Sequence, residues 1–391
     1  MKIRIFFTFL IFNILYAQNI PNLLNENYQE LYNLKLKKEE AQKKYNSLKF
    51  ISPVELSVER DISYKYKNRS SRYTKYSISI DQPIFKFGGI YYGIKFAKAN
   101  YKLNKLKILK EERELIIKAI QLAYELKASL YEKKKTQLEI KNKKIELKMY
   151  ETILESGYIS SLDIDNLLVK LTDARTKLYD IKMNIKQTFH RFKQISYKNP
   201  YKLKLPKLKF ISKNKFIQNN YDIKLAKKNI ELMKYKKKIT YAKYLPTISI
   251  GLEYGKIKAK DIEYRNHYKN INLKMSMPIS VNRSHDIEIA KLEYLISKLE
   301  LVTTKNTTIN DYTSIKNRLS LYAQKRKLLE EEMRIYRKLL RKMKRLQKAG
   351  EKNNLDILTI KNYIQMKRYD IKILNIQKQL LLLELYKKVS I

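Results

Sequence analysis

Hydrophobic and polar positions along the chain follow two periods, seven and two, in separate blocks. Between Gly93 and Gly157 lie 63 residues with neither glycine nor proline, and between Pro278 and Gly350 lie 71 more. In the first block Ile117, Tyr124, Tyr131, Leu138 and Ile145 recur every seven residues. In the second, Ile315, Tyr322, Leu329, Tyr336 and Met343 do the same. Glycine and proline are the main interruptions of regular structure, so each block predicts one unbroken helix. At ~1.5 Å per residue such a helix approaches ~100 Å. An apolar seam with a seven-residue period on a 3.6-residue helix imposes a left-handed supercoil on neighbouring helices. Charged runs such as "KEERE" and "KKK" fill the other faces. By periodicity alone, an isolated coiled-coil rod fits equally well.

Period two appears in four other segments. Val54, Leu56, Val58, Ile62, Tyr64 and Tyr66 share one strand face, interrupted by Arg60. Tyr76, Ile78 and Ile80 alternate with Ser77, Ser79 and Asp81. Ile248, Ile250, Leu252 and Tyr254 alternate with Ser249, Gly251 and Glu253, and Ile271, Leu273, Met275 and Met277 follow the same rule. A half-buried periplasmic sheet would alternate in this way. Four such segments of about ten residues, with tyrosines towards their ends, fit membrane barrel strands.

The blocks repeat. Pro53 and Pro246 lie 193 residues apart, as do Gly157 and Gly350. Leu162-Asp163-Ile164 recurs as Leu355-Asp356-Ile357, and "IDQPIF" at 80–85 pairs with "MSMPIS" at 275–280. The heptad seams do not superpose at this offset, so the duplication is blurred within the helices. Each half predicts a short helix, a β-hairpin, a very long helix, a sharp turn and a return helix. The first repeat spans 18–210, with hairpin 53–84, long helix 90–156, return helix 162–197 and a linker. The second spans 211–391, opening on a helix, with hairpin 246–280, long helix 283–348 and return helix 355–389. Four strands cannot close a barrel, and a bilayer tolerates no free sheet edge. Eight strands would be plugged by their own side chains, whereas twelve leave room for water. A homotrimer is therefore the smallest assembly that makes a pore.

Composition changes this picture at three points. "MKIR", the apolar run "IFFTFLIFNILY" and Ala17 predict a cleaved secretory signal over 1–17. No later stretch is apolar enough for a transmembrane helix. The chain has no cysteine, which excludes disulfides, thiolate metal sites and an acylated N-terminal cysteine. Its histidines, His190, His267 and His285, show no ligand spacing, so neither a metal nor a cofactor is expected. Lys and Arg number 84 against 38 Asp and Glu, a net charge of +46. That excess raises the alternative of a basic coiled coil binding nucleic acid. The basic residues are spread over the whole chain, however, in a composition rich in Lys, Ile, Asn and Tyr. "GGIYYG" at 88–93 lacks the Lys-Ser/Thr of a phosphate loop. No catalytic arrangement can be defended, and an enzyme is not expected.

In its layout the chain resembles the TolC family of outer-membrane efflux and secretion channels. The resemblance covers nearly everything after the signal. It rests on the duplicated plan, on "SISIDQPIFKFGG" leading into a long helix, on "YLPTISIGLEYG", and on the two Gly-x5-Asp turns. It implies a mainly α, mixed fold. In that fold, long antiparallel hairpins form a periplasmic α-barrel below a 12-stranded β-barrel in outer-membrane lipid, shared by a homotrimer with four strands per protomer. It also implies a passive conduit serving a periplasmic adaptor protein and an inner-membrane transporter, without nucleic acid. A periplasmic adaptor of such a pump is the nearest alternative. The resemblance makes Gly157, Tyr158, Gly350 and Glu351 adaptor-facing hairpin tips. Asp356 matches a ring aspartate of the closed periplasmic gate, while the second ring position falls on Thr359. Lys352 and Asp163 match residues that link neighbouring hairpins in the closed state.

Overall fold

The protein, seen here in a computed structural model, is described at residue 24 and over residues 29–46, 51–65, 69–155, 160–259, 265–351 and 353–390. The segment expected to be a signal, 1–17, lies outside these residues. The elements run in the order α1 (Gln29–Asn46), β1 (Glu55–Lys65), β2 (Arg69–Phe85), α2 (Gly89–Glu155), α3 (Ser161–Ile195), α4 (Lys213–Asn219) and α5 (Tyr221–Lys243). They continue with β3 (Thr247–Ala259), β4 (Arg265–Ser276), α6 (Arg283–Lys348) and α7 (Asn354–Lys387). The fold is mainly helical with one open antiparallel sheet in the order β1-β2-β3-β4. The two glycine- and proline-poor blocks are the helices α2, of 67 residues, and α6, of 66.

Contacts divide the chain into two compact units, and each unit takes residues from both halves of the sequence. One is helical, made of Leu109–Tyr221, Asn306–Ile391 and the described part of Met1–Lys35. The other, Leu36–Ile108 with Asp222–Lys305, contains the sheet.

In the helical unit the seven-residue seams turn inward. Ile117, Tyr124 and Ile315 are buried, while Tyr131, Leu138, Ile145, Tyr322, Leu329, Tyr336 and Met343 are half-buried. Phe192, Phe216 and Leu385 are fully covered at the centre of the core. The segment between α3 and α4 is tied to this core through its backbone. Leu208 N–H donates to Gln379 Oε1 at 2.7 Å, Tyr386 Oη donates to the Lys209 carbonyl at 3.1 Å, and the Tyr124 hydroxyl donates to the Pro206 carbonyl. Burial pushes the Tyr124 hydroxyl up to about 12, so it remains a donor across the physiological range. The C-terminal end closes the unit through a bridge between Asn220 and Val389, with Tyr221 N–H donating to the Lys388 carbonyl at 2.8 Å.

Further along, α7 packs on α2 through a buried polar pair. Asn362 Nδ2 donates to Asn142 Oδ1 at 2.7 Å, and Asn142 Nδ2 donates to the Thr359 carbonyl at 3.3 Å. Lys135 meets Asp370 at 2.8 Å on the same pair of helices. Burial pulls the Lys135 ammonium down, but the Asp370 hydrogen bond and charge, with Glu132, outweigh it and leave the group raised.

In the sheet unit, Ala99 and Leu103 of α2 pack on Leu232 of α5, flanked by Phe96 and Met233. Where α5 gives way to β3, Asp286 of α6 accepts a hydrogen bond from Tyr244 and an ion pair from Lys243 at 3.2 Å. Those two contacts, the tyrosine first, hold the Asp286 carboxyl below the usual aspartate range.

Candidate functional site

The register of the sheet decides which side chains share a face. Leu56 lies opposite Ile78 and Val58 opposite Tyr76. Ile78 lies opposite Tyr254 and Ile80 opposite Leu252. Leu252 lies opposite Ile271, Ile250 opposite Leu273 and Ile248 opposite Met275. All four alternating segments therefore place their apolar residues on one continuous face. That face is exposed: Leu56 is 79 % accessible, Ile271 78 % and Leu273 73 %.

The other face is polar and is well covered along the two central strands, with Ser77 at 7 % and Ser249 at 6 %. Its side chains satisfy one another. The Ser57 and Ser77 hydroxyls meet at 2.8 Å, Tyr268 Oη donates to Glu253 at 2.8 Å, Lys75 reaches Glu253 at 2.9 Å, and Tyr73 Oη donates to Asp61 at 3.2 Å. Gly255 lies opposite Tyr268, and a Cβ on it would sit 2.5 Å from the tyrosine ring. Glycine is required there because a large neighbour lies across it. In water the apolar face would cost about 25 cal/mol for each Å² left uncovered. A sheet polar within and apolar without is stable when its surroundings are hydrocarbon. Among the described residues no helix is long and apolar enough to cross a membrane, a statement that concerns helices only.

In the helical unit, α6 stops through a left-handed cap. Gly350 has φ +81°, its N–H donates to the Gln347 carbonyl at 3.0 Å, and Glu351 N–H donates to the Leu346 carbonyl at 3.0 Å. This pair of bonds satisfies the carbonyls that a helix end leaves unpaired. A Cβ on Gly350 would meet nothing within 4 Å, so backbone conformation rather than space demands glycine. Gln347 Nε2 donates across the turn to Asn354 Oδ1.

The return helix α7 opens on Asn353, whose Oδ1 accepts from Leu355 N–H at 2.9 Å and Asp356 N–H at 3.0 Å. Asp356 Oδ2 accepts in turn from Asn353 N–H at 3.3 Å. Asp163 repeats the motif at the start of α3: its Oδ2 accepts from the N–H and the hydroxyl of Ser160, each at 3.1 Å. Both gate candidates thus engage the N-cap of their own helix. Asn353 and Ser160 were not singled out by the sequence reading, although an Asn or Ser three residues before each Asp is the usual sign of such a cap. Gly157, Tyr158 and Lys352 lie outside the described residues. Thr359, at the second ring position, donates to the Leu355 carbonyl at 3.0 Å, a bond within its own helix.

Residues 214–381 match the family described as "Outer membrane efflux protein". The match lies within the second half of the chain. No curated protein matches it in sequence. The fold is that of a membrane protein from Pseudomonas aeruginosa, at TM-score 0.76 and 13 % identity over 94 % of this chain and 91 % of that one. It is also that of the Campylobacter jejuni CmeC outer membrane channel, at TM-score 0.74 and 13 % identity over 93 % and 83 % of the two chains. The outer membrane protein VceC of Vibrio cholerae gives TM-score 0.72 and 12 % identity over 92 % of each.

Proposed function

We propose that this chain is a non-catalytic outer-membrane conduit reaching into the periplasm, rather than a periplasmic adaptor or a nucleic-acid-binding coiled coil, and that three copies join their sheets edge to edge into a twelve-stranded barrel. One observation carries the reading: a four-stranded sheet whose exposed face is apolar and whose β1 and β4 edges have no partner strand among the described residues. Hydrocarbon satisfies the face but not the edges, and closure with neighbouring protomers satisfies both. The polar face then lines a water-filled pore.

The long helices continue the channel through the periplasm. Their tips, around Gly157 with Tyr158 and Gly350 with Glu351, meet the adaptor of an inner-membrane transporter, which supplies the energy and selects the substrate. Asp356, with Lys352 and Asp163 linking neighbouring hairpins, forms the periplasmic gate. Capping does not compete with this role, because in each aspartate the bonds to the N-cap engage a single carboxylate oxygen, Oδ2. Stable trimers by native mass spectrometry in detergent, together with conductance in planar bilayers, are the expected result. Stable monomers in detergent would remove the basis for a shared barrel. For the gate, Lys352→Asp raises single-channel conductance, and Asp356→Asn weakens block by multivalent cations while leaving an oxygen to cap the helix.

A further inference from the structure

Acidic charge on the sheet is confined to one face, while basic residues occupy both. The acidic strand residues Glu55, Glu59, Asp61, Asp81 and Glu253 all fall on the polar face. On the apolar face every ionisable side chain among the described residues, tyrosines aside, is basic: Arg60, Arg72, Lys256, Lys258, His267 and Lys269. Drift towards a lysine-rich composition would not by itself keep the acids of β1, β2 and β3 off the apolar face.

The basic residues are also sorted along the strands. Nearest the helices the face carries Ile248, Ile250, Leu273 and Met275, with Ile80, Leu252 and Ile271 following. Tyr254 and then Tyr76 come next towards the hairpin turns. The basic side chains occupy these rows and those beyond. Lys256 and His267 share a row with Tyr76, and Arg60 and Lys258 lie one row further out. Lys258 Nζ rests 5.6 Å from the centre of the Tyr76 ring, and Tyr254 Oη meets His267 Nδ1 at 3.2 Å. An aromatic band bordering hydrocarbon followed by cations is how a protein surface meets a charged headgroup layer.

We infer that this collar binds the phosphate-bearing headgroups of anionic lipid in the outer leaflet, on the side where the hairpins turn. The inference rests on the barrel reading above, which makes the apolar face the lipid face. Its chemistry is charge-assisted hydrogen bonding from several ammonium and guanidinium groups to phosphate oxygens. Along the described strand residues this face carries no acid to repel phosphate.

The test uses the full-length protein reconstituted in phosphatidylcholine nanodiscs containing lipid A, or lipid A stripped of its phosphates, with co-purified lipid counted by native mass spectrometry. Wild type is expected to retain phosphorylated lipid A and to lose the dephosphorylated form. Lys256→Gln, Lys258→Gln and Lys269→Gln should each lower retention about fivefold, the equivalent of roughly 1 kcal/mol per basic side chain near an anionic surface. Lys75→Gln, on the polar face, should leave it unchanged. Equal retention of both lipids, or equal loss from Lys75→Gln and Lys258→Gln, overturns the inference even when the protein inserts and conducts. A protein that neither inserts nor conducts would fail the barrel reading itself.

Discussion

The helical core and the sheet solve the same problem with opposite polarity. Around Phe192, Phe216 and Leu385 the chain covers its apolar side chains and turns charges outward. In the sheet, Leu56, Ile271 and Leu273 are exposed while Ser77 and Ser249 are covered. The comparison teaches that burial is defined by solvent. A helical unit in water hides hydrocarbon, and a barrel wall in lipid hides its polar groups. The same alternation read in water would describe an aggregating edge-exposed sheet.

The sharpest way to break this contrast is to remove bulk from the helical core. Phe216 packs beside Tyr312 with ring centres 5.5 Å apart. Phe216→Ala should cost ~3–5 kcal/mol, whatever the surrounding lipid or detergent. Denaturant unfolding followed by circular dichroism measures it, and a loss under 1 kcal/mol would mean this centre is not a packed core.

Next in size is a charge placed on each face of the sheet. Leu273→Arg should destabilise the vesicle-inserted protein by ~2–4 kcal/mol if its face meets the middle of the bilayer. Asn272→Arg, one residue along on the polar face, should change urea stability little and alter ion selectivity instead. Equal costs at the two positions would erase the distinction between the faces.

The turn at Gly350 belongs to neither packing pattern, which makes it a control. Gly350→Val forces a branched side chain into a left-handed conformation, at a cost of ~1–2 kcal/mol. Trimer assembly should survive while export fails, because the strain is local to the tip. Normal export by this variant would take the tip out of adaptor contact.

The smallest effect expected is at Asp286, beside the sheet but outside it. Its carboxyl is held below the unfolded value by Tyr244 and Lys243. The stabilisation is therefore fully present above the unfolded aspartate value of about 4 and is lost as pH falls through the lower folded value. Asp286→Asn should flatten the acid limb of a thermal-stability profile without changing it near neutrality. An unchanged acid limb would show that the contact carries no stability.

Much of this was legible in the chain because the relevant signals are local. Sixty or more residues without glycine or proline, with a residue on one seam every seventh position, are long helices whatever they pack against. The alternation at Ile248–Tyr254 and Ile271–Met277 named the side chains of one face before any pairing was known. The left-handed turn at Gly350 could be expected from the residue type alone.

What the alternation could not say is whether four segments join one sheet, in what register, and whether their apolar face is covered. Those answers depend on contacts between residues more than 160 positions apart, such as Ile78 with Tyr254. The same holds for the sorting of charge. Arg60, Lys258 and His267 look scattered in sequence and become neighbours only when strands from both halves pair. Asp356 shows the opposite limit: its cap was within reach of local reading, but a ring of three carboxylates is a property of symmetry, which no single chain encodes position by position. The sequence determined the elements and their faces because hydrogen bonding and side-chain period act over a few residues. The tertiary structure decided which faces meet, because packing acts across the whole chain.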